Sequence, residues 1–397
     1  MQKRTIIDAS LRDDVIARAR SVTALIAAAA PRIEAARELP PDVLDALHEA
    51  RLFRLLLPRS LGGDEVDLET HAIALETIAS ADASTAWVMG QGSGCSMAAA
   101  FLAPDAARRW FGHRNAVLAW GAGIQGRAVA VEGGYRVTGK WTFNSGSRHA
   151  TLLGGHSFVV EPDGTPRRRP DGRPLDRTML LERSKATIDD VWDTVGLRGT
   201  GSDTFTVQDL FIPEADTIDR ESYAECREAG PLYRFSTTLA FGVGFSALML
   251  GISRAMLNEL TGIALTKTPR GATMSLRESP VFQTELAQLE ARYQAARAYL
   301  HTTTRDVFAS VDETSVLEVP DRARVKLATT WVINHSFEVV KDCYRAAGQT
   351  AIHPAGPFER RMRDAMTASQ QTQARGTNYI TVGRTLLGLE PDSLSFL

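Results

Sequence analysis

The sequence predicts a mostly α-helical protein with a β-rich middle and a helical bundle at its end. Two observations carry that order. Before about residue 112 and after about residue 225, apolar residues recur at steps of three and four, the period of helices with one buried face. Between residues 113 and 224 they come instead in short β-branched and aromatic runs broken by Gly and Pro turns. The chain of 397 residues therefore divides into an N-terminal helical domain (1–112), a central β domain (113–224) and a C-terminal bundle (225–397).

The elements follow in chain order. Leu11–Ala30 is helical and is expected to close at Pro31. Pro40-Pro41 opens a second helix over Asp42–Leu57, where Val43, Leu47, Ala50, Phe53 and Leu57 keep the helical step, and Pro58 with Gly62-Gly63 ends it. Leu68–Ser80 and Ala83–Leu102 continue the pattern. Ala128–Val131, the Gly133-Gly134 turn and Tyr135–Gly139 spell strand, turn, strand. Ser157–Val160, Met179–Leu181 and Phe205–Phe211 are further short strands. Glu161–Leu175 is a Pro-, Gly- and Arg-rich loop, and its Arg167-Arg168-Arg169 run is expected to be solvated rather than an anion site. Phe282–Ala309 and Asp321–Ala347 carry the seams Leu286–Leu300 and Val325–Val339 of an antiparallel bundle. His335 falls on the second seam and reads as a satisfied core histidine.

Composition excludes several classes. The hydrophobic fraction is 44%, the charged fraction 23% and the net charge −2, so neither disorder nor a nucleic-acid footprint is expected. Cys95, Cys226 and Cys343 are too few and too far apart for a disulfide framework or a metal pair, which suits a cytoplasmic protein. Met1-Gln2-Lys3-Arg4 leads into no apolar leader, and Leu239–Ile252 is too short to span a bilayer, so no membrane association is expected.

The usual phosphate, metal and nucleophile motifs are missing or misplaced. Gly134…Gly139-Lys140 begins like a P-loop, but Trp141 stands where Ser or Thr must hold Mg²⁺. Gly121-Ala122-Gly123-Ile124-Gln125-Gly126 spells GxGxxG but opens a strand, so a glycine-rich turn is the better reading. There is no HExxH, the eight histidines lack ligand spacing, and Gly92-Ser93-Gly94 is not a nucleophile elbow. No bound metal is expected.

Three segments are more informative: Gly134-Tyr135-Arg136-Val137-Thr138-Gly139-Lys140-Trp141-Thr142-Phe143-Asn144-Ser145-Gly146-Ser147, then Trp192-Asp193-Thr194-Val195-Gly196-Leu197-Arg198-Gly199-Thr200-Gly201-Ser202, then Pro357-Phe358-Glu359-Arg360-Arg361-Met362-Arg363-Asp364-Ala365. In this order and spacing, together with Leu52–Leu68 and Ala81–Trp87, the chain resembles the acyl-CoA dehydrogenase superfamily over nearly its whole length. The resemblance implies a central β-barrel between the helical domain and a four-helix bundle, a homotetramer, and a flavin held between barrel and bundle and completed by a neighbouring subunit. It assigns Trp192 to the wall of the flavin ring, Ser145 to a hydroxyl near N5, and Ser202 and Arg270 to the phosphate end. Trp120, Gly348 and Gln349 join them as cofactor-binding positions. An isoalloxazine ring needs such a wall, such hydrogen-bond partners and such cations. On the residues alone, Trp192 as barrel core and Ser145 as a turn cap remain the simpler readings.

A dehydrogenase of this family needs a carboxylate to take the substrate's α-proton. Both usual positions for that base are empty. Arg375-Gly376-Thr377 stands where the resemblance implies Glu-Gly-Thr, and arginine cannot accept the proton; Phe235–Ile252 on the first bundle helix has no carboxylate. Phe143-Asn144-Ser145-Gly146-Ser147-Arg148-His149-Ala150 is instead similar to the two-component flavin monooxygenases. That resemblance implies an oxygenase component that takes reduced FMN or FAD from a separate reductase and oxygenates a small organic substrate through a C4a-(hydro)peroxyflavin. In many relatives a histidine follows the Arg-Asp motif by about eight residues; here the stretch is Ser369-Gln370-Gln371. Gln371 takes that catalytic position beside Ser145, and an amide exchanges no proton near neutral pH. Two rival readings stand beside this one: an acyl-CoA dehydrogenase or oxidase with a relocated base, and a helical scaffold that has lost its flavin.

Overall fold

The computed structural model describes residues 8–220, 222–311, 316–354 and 356–392. The N-terminal part contains α1 (Ala9–Ala36), α2 (Pro41–Glu49), α3 (Leu68–Ala81), α4 (Ala83–Ser96) and α5 (Pro104–Phe111). Side-chain caps start several of them: the Asp8 carboxylate accepts from Ser10 and Leu11, Asp67 from Thr70, and Asp82 from Thr85. Pro31 does not close α1 but lies inside it. Its ring faces solvent, and the buried neighbours Ala29, Ala30 and Ile33 hold the helix through the one lost backbone bond. The second expected helix is also shorter, because Arg51 takes a left-handed φ of 59° and a 3₁₀ turn follows. There the buried Arg54 guanidinium ties the carbonyls of Leu61, Phe111 and His113 together.

The middle of the chain forms β1 (Leu118–Trp120), β2 (Gly126–Val131), β3 (Gly134–Asn144), β4 (Leu152–Val160), β5 (Asp176–Glu182), β6 (Thr187–Asp189), β7 (Asp203–Pro213) and β8 (Thr217–Ile218). They make one sheet in the order β6-β7-β3-β2-β4-β5-β8, with β1 parallel to β4 off this path. The sheet is open and does not close into the expected barrel. Its end strands, β6 and β8, have three and two residues and pair with β7 and β5 respectively, so among the described residues no ladder joins the two edges. Side chains fill the curl instead: Met179 and Leu181 of β5 share a core with Phe205 and Val207 of β7 around Trp141, which is fully buried. Three glycines leave room for that indole. A Cβ on Gly126, Gly139 or Gly155 would lie 2.2, 2.5 or 2.7 Å from it. The last glycine of the GxGxxG run thus packs a tryptophan and cradles no phosphate.

The Arg-rich loop is more structured than expected. Arg169 is nearly buried and donates to Asp219 and Asp176 at 2.6 and 3.1 Å, while Arg167 pairs with Glu161 at 2.8 Å. These arginines staple the loop to the sheet.

The C-terminal part holds α6 (Thr237–Ala264), α7 (Pro280–Ser310), α8 (Val319–Ala347), α9 (Pro357–Ala368) and α10 (Asn378–Leu386). By length and composition α6 could cross a membrane, but 89% of its most apolar window is buried inside the protein, packed by α3, α4, α7, α8 and α9. His335 is only half-buried and stacks on Trp331 at 4.3 Å, so it lies at the edge of the seam rather than in it. A charged cluster joins α3 to α7. Glu76 accepts from Tyr293, Arg297 and His301 at 2.7, 2.7 and 3.1 Å, and Glu69 accepts a two-pronged contact from Arg305. Burial alone would raise both carboxyls, yet these donors outweigh it and hold them below the ordinary range.

Candidate active site

The three motif segments meet where the sheet abuts α4 and α9. Between Trp141 and Asn144 the pairing of β3 with β7 slips, and Phe143 takes a left-handed φ of 60°. Such a bulge re-aims the residues beyond it, and here it turns Ser145 toward α4. Trp87 Nε1 donates to Ser145 Oγ at 2.9 Å. The Ser145 and Ser202 hydroxyls lie 2.7 Å apart, the Ser202 and Thr200 hydroxyls 2.7 Å apart, and Thr200 Oγ1 donates to the Leu197 carbonyl at 2.9 Å. All three hydroxyl residues are buried.

Leu197 anchors this chain. It has a left-handed φ of 50°, and its N–H is held by Asp364 Oδ1 on α9 at 2.6 Å. The close approach needs glycine at 196, where a Cβ would lie 2.1 Å from the Arg363 carbonyl oxygen. Burial, and then the charge of Asp82, push the Asp364 carboxyl up to about 7.

Trp192 is half-buried beside this turn, and its Nε1 also donates to the Leu197 carbonyl, at 2.9 Å. Phe143 meets it edge-on at 6.1 Å. Phe143, Val191 and Val195 are 64, 56 and 65% exposed, an apolar surround that the chain itself leaves uncovered. From Ser145 an aromatic wall runs inward: Trp87 stacks on Phe245 at 4.0 Å, Phe245 on Phe241 at 5.8 Å, and Phe241 meets Trp120 edge-on at 6.4 Å.

The remaining expected residues lie elsewhere. Gln371 follows α9, and both its amide oxygen and its amide nitrogen are buried without a hydrogen-bond partner. No direct bond joins it to Ser145. Arg270 is exposed in the segment between α6 and α7 and, among the described residues, makes no hydrogen bond or ion pair. Gly348 and Gln349 are exposed at the end of α8, and Lys267 links that end to the Arg270 segment through Ala347 O and Thr350 Oγ1, both at 2.7 Å. From Phe245 to the end of α6 at Ala264 is roughly 30 Å of helix. Along α6, Ser145 therefore lies level with Phe245 through Trp87, the Trp192 turn is tied through Asp364 to α9, whose Arg361 lies 3.7 Å from Glu259, and the Arg270 segment begins beyond the helix's C-terminal end.

Sequence reasoning missed Thr200, Phe241 and Phe245, and took Trp87 only as part of a helix start. Of these only Trp87 left a visible signal, as the lone aromatic in Ala83–Ser96. An uncovered apolar wall and a serine with a spare lone pair suit a flat ring with a polar edge, which is the shape of a flavin.

Comparison with known proteins agrees. The acyl-CoA dehydrogenase N-terminal domain model matches residues 11–112 and the acyl-CoA dehydrogenase C-terminal domain model matches residues 243–375. The chain belongs to the acyl-CoA dehydrogenase superfamily, on its flavin-dependent monooxygenase branch. It is 29% identical to an indole-3-acetate monooxygenase of Pseudomonas putida, over 89% of each chain. It is 28% identical to the flavin-dependent monooxygenase oxygenase subunit HsaA of Rhodococcus jostii, over 85% of this chain and 88% of that one. In fold it resembles XiaF from Streptomyces sp., solved in complex with FADH2 and glycerol, with a TM-score of 0.89, 24% identity and coverage of 97 and 98%. This superfamily member is a flavin-dependent monooxygenase, an oxidoreductase.

Proposed function

We propose that this monooxygenase is the oxygenase half of a two-component system. It takes reduced FMN or FAD from a separate reductase in the cytoplasm and places one atom of O2 on a small, electron-rich ring. Bound reduced flavin supplies the electrons that activate O2. The chain's own residues do the rest. Trp192, Phe143, Val191 and Val195 offer the apolar wall, and Ser145 the hydroxyl at the ring's polar edge. The aromatic wall from Trp87 to Trp120 keeps water from the reacting face. Arg270 lies beyond the C-terminal end of α6, roughly 30 Å of helix from the Phe245 that Trp87 joins to Ser145, and with Gly348 and Gln349 it serves the flavin of a neighbouring subunit in a homotetramer.

The observation that carries the reading is Gln371. Its buried, unpartnered amide can hold a substrate by donating or accepting a hydrogen bond but cannot take its proton. Arg375, four residues on, stands where the resemblance implies the dehydrogenase's glutamate, and an arginine cannot take a proton. Substrates that need no deprotonation suit such a site. An indole ring, the group named for the Pseudomonas putida relative, is nucleophilic at carbon as it stands.

The deciding experiment supplies reduced FMN or FAD through a generic reductase, with ¹⁸O2 and a panel of indoles and phenols. One ¹⁸O atom in an indole product supports the reading. Anaerobic bleaching of bound flavin by an acyl-CoA, with no labelled product, would overturn it in favour of a dehydrogenase.

A further inference from the structure

The hydroxyl chain has a direction, and the direction says which redox state of a flavin the site holds. An indole N–H can only donate and a backbone carbonyl can only accept. Trp87 stands at one end of the chain and the Leu197 carbonyl at the other, with Ser145, Ser202 and Thr200 between them. Each of these hydroxyls owns one hydrogen. All four links are filled in one arrangement only: Trp87 donates to Ser145, Ser145 to Ser202, Ser202 to Thr200, and Thr200 to Leu197.

In that arrangement the Ser145 hydrogen is already spent, and what remains at its oxygen is a lone pair. Ser145 can accept one more hydrogen bond without disturbing anything. It can donate one only if its own link to Ser202 is left empty, or if the chain reverses and the Thr200–Leu197 bond is lost. Resting on the proposed flavin site, we infer that Thr200, buried two hydrogen bonds away behind Ser202, orients Ser145 as an acceptor and so makes the site select reduced flavin, whose N5 carries a hydrogen, over oxidised flavin, whose N5 offers a lone pair.

The preference amounts to one neutral hydrogen bond, about threefold to tenfold in relative affinity. The anchor is suited to hold it. The Leu197 carbonyl also takes the Trp192 Nε1–H at 2.9 Å, and the Leu197 N–H is clamped by Asp364 at 2.6 Å, so the acceptor that orients the serine is fixed by the same turn that positions the wall. Trp87, by contrast, bonds Ser145 equally in either arrangement and contributes no preference. A neutral serine oxygen whose hydrogen is committed is also a poor route for removing a proton from N5.

The test needs no turnover. Dissociation constants of oxidised and dithionite-reduced FMN and FAD are measured anaerobically for the whole protein and its variants, and their ratio is the readout. Thr200→Val removes the hydroxyl at nearly constant shape, and the ratio is expected to shift toward oxidised flavin by about threefold to tenfold, or roughly 15–30 mV in the two-electron potential of the bound flavin. Thr200→Ser keeps the hydroxyl and keeps the ratio. Ser202→Ala cuts the chain at its middle and reproduces the Thr200→Val shift, which covers the case that Thr200→Val fails to fold. Trp87→Phe weakens both redox states alike and leaves the ratio in place. Flavin binding with a ratio unmoved by Thr200→Val and Ser202→Ala would overturn the inference and leave the flavin site standing. Wild-type protein that binds neither redox state would overturn both.

Discussion

Asp364 Oδ1 accepts the Leu197 N–H at 2.6 Å across 167 positions of sequence, and this bond locks α9 onto the turn that carries the hydroxyl chain. Burial and the nearby Asp82 push the Asp364 carboxyl up to about 7. From the ordinary aspartate value near pH 4 up to about 7, the folded protein therefore holds a proton that the unfolded chain has released. The stability this group contributes is full below that range and is lost as pH rises through it. Asp364→Asn keeps the acceptor and removes the titration. Its melting temperature should vary less between pH 5 and 7.5 and exceed wild type at the upper end, by on the order of 3 kcal/mol in stability. Asp364→Ala should be destabilised across the range, since it leaves the Leu197 N–H unpaired, which costs about 1–3 kcal/mol.

Glu76 behaves in the opposite sense. Its carboxyl is held low by His301, Arg297 and Tyr293 despite burial, so its contribution is present at neutral pH and disappears as the solution is acidified below the ordinary glutamate range. Urea melts of Glu76→Ala at pH 7 should show a loss of about 1–3 kcal/mol, because Tyr293 and His301 lose their buried acceptor while the partly exposed Arg297 can turn to water. By pH 3.5 the gap to wild type should have narrowed.

Ser145→Ala should still fold and assemble, at a cost of about 1–3 kcal/mol in stability, because the Trp87 Nε1–H loses its acceptor while the apolar packing around it is unchanged. With its hydroxyl gone, NADH consumed through the reductase should yield more hydrogen peroxide per product. A lost neutral bond of about 0.5–1.5 kcal/mol corresponds to roughly threefold to tenfold in the competing rate. Unchanged coupling would remove Ser145 from the site.

Gln371→Leu separates stability from function. Both polar atoms of the amide are buried and unpartnered, so replacing them with an apolar side chain should raise the melting temperature of the flavin-free protein, by about 1 kcal/mol or more in stability. The same variant should turn over its substrate more slowly. A variant that is both less stable and fully active would show that the amide has a structural partner and no substrate.

Arg270→Ala and Ser145→Ala test whether the site is shared. Each alone should be impaired, Arg270→Ala in flavin affinity and Ser145→Ala in coupling. Unfolded together and refolded, the mixture should regain about a quarter of wild-type coupled activity, because some sites then draw Ser145 from one subunit and Arg270 from another. Light scattering should give a tetramer. No recovery on mixing would place both residues in one subunit's site.

Local chemistry, legible in the sequence by itself, determined much of this protein. Apolar spacing marked the helix–strand–helix order, and the segments around Ser145, Trp192 and Asp364 named the superfamily and the oxygenase branch, because the residues that make turns and cofactor walls are local signals. Missing carboxylates at 235–252 and 375 were equally plain, since an absent base needs no geometry to be noticed. Tertiary structure alone decided the rest. Whether a sheet closes depends on pairing between strands far apart in sequence, and β6 and β8 are too short to supply it. Pro31 stays inside α1 because buried neighbours outweigh a local helix-breaking preference. The direction of the hydroxyl chain depends on a tryptophan at 87 meeting a serine at 145, and on a carbonyl at 197 held by an aspartate at 364. Hydrogen bonds are short-ranged and directional, so partners that meet only after the chain folds leave no periodic trace in its sequence.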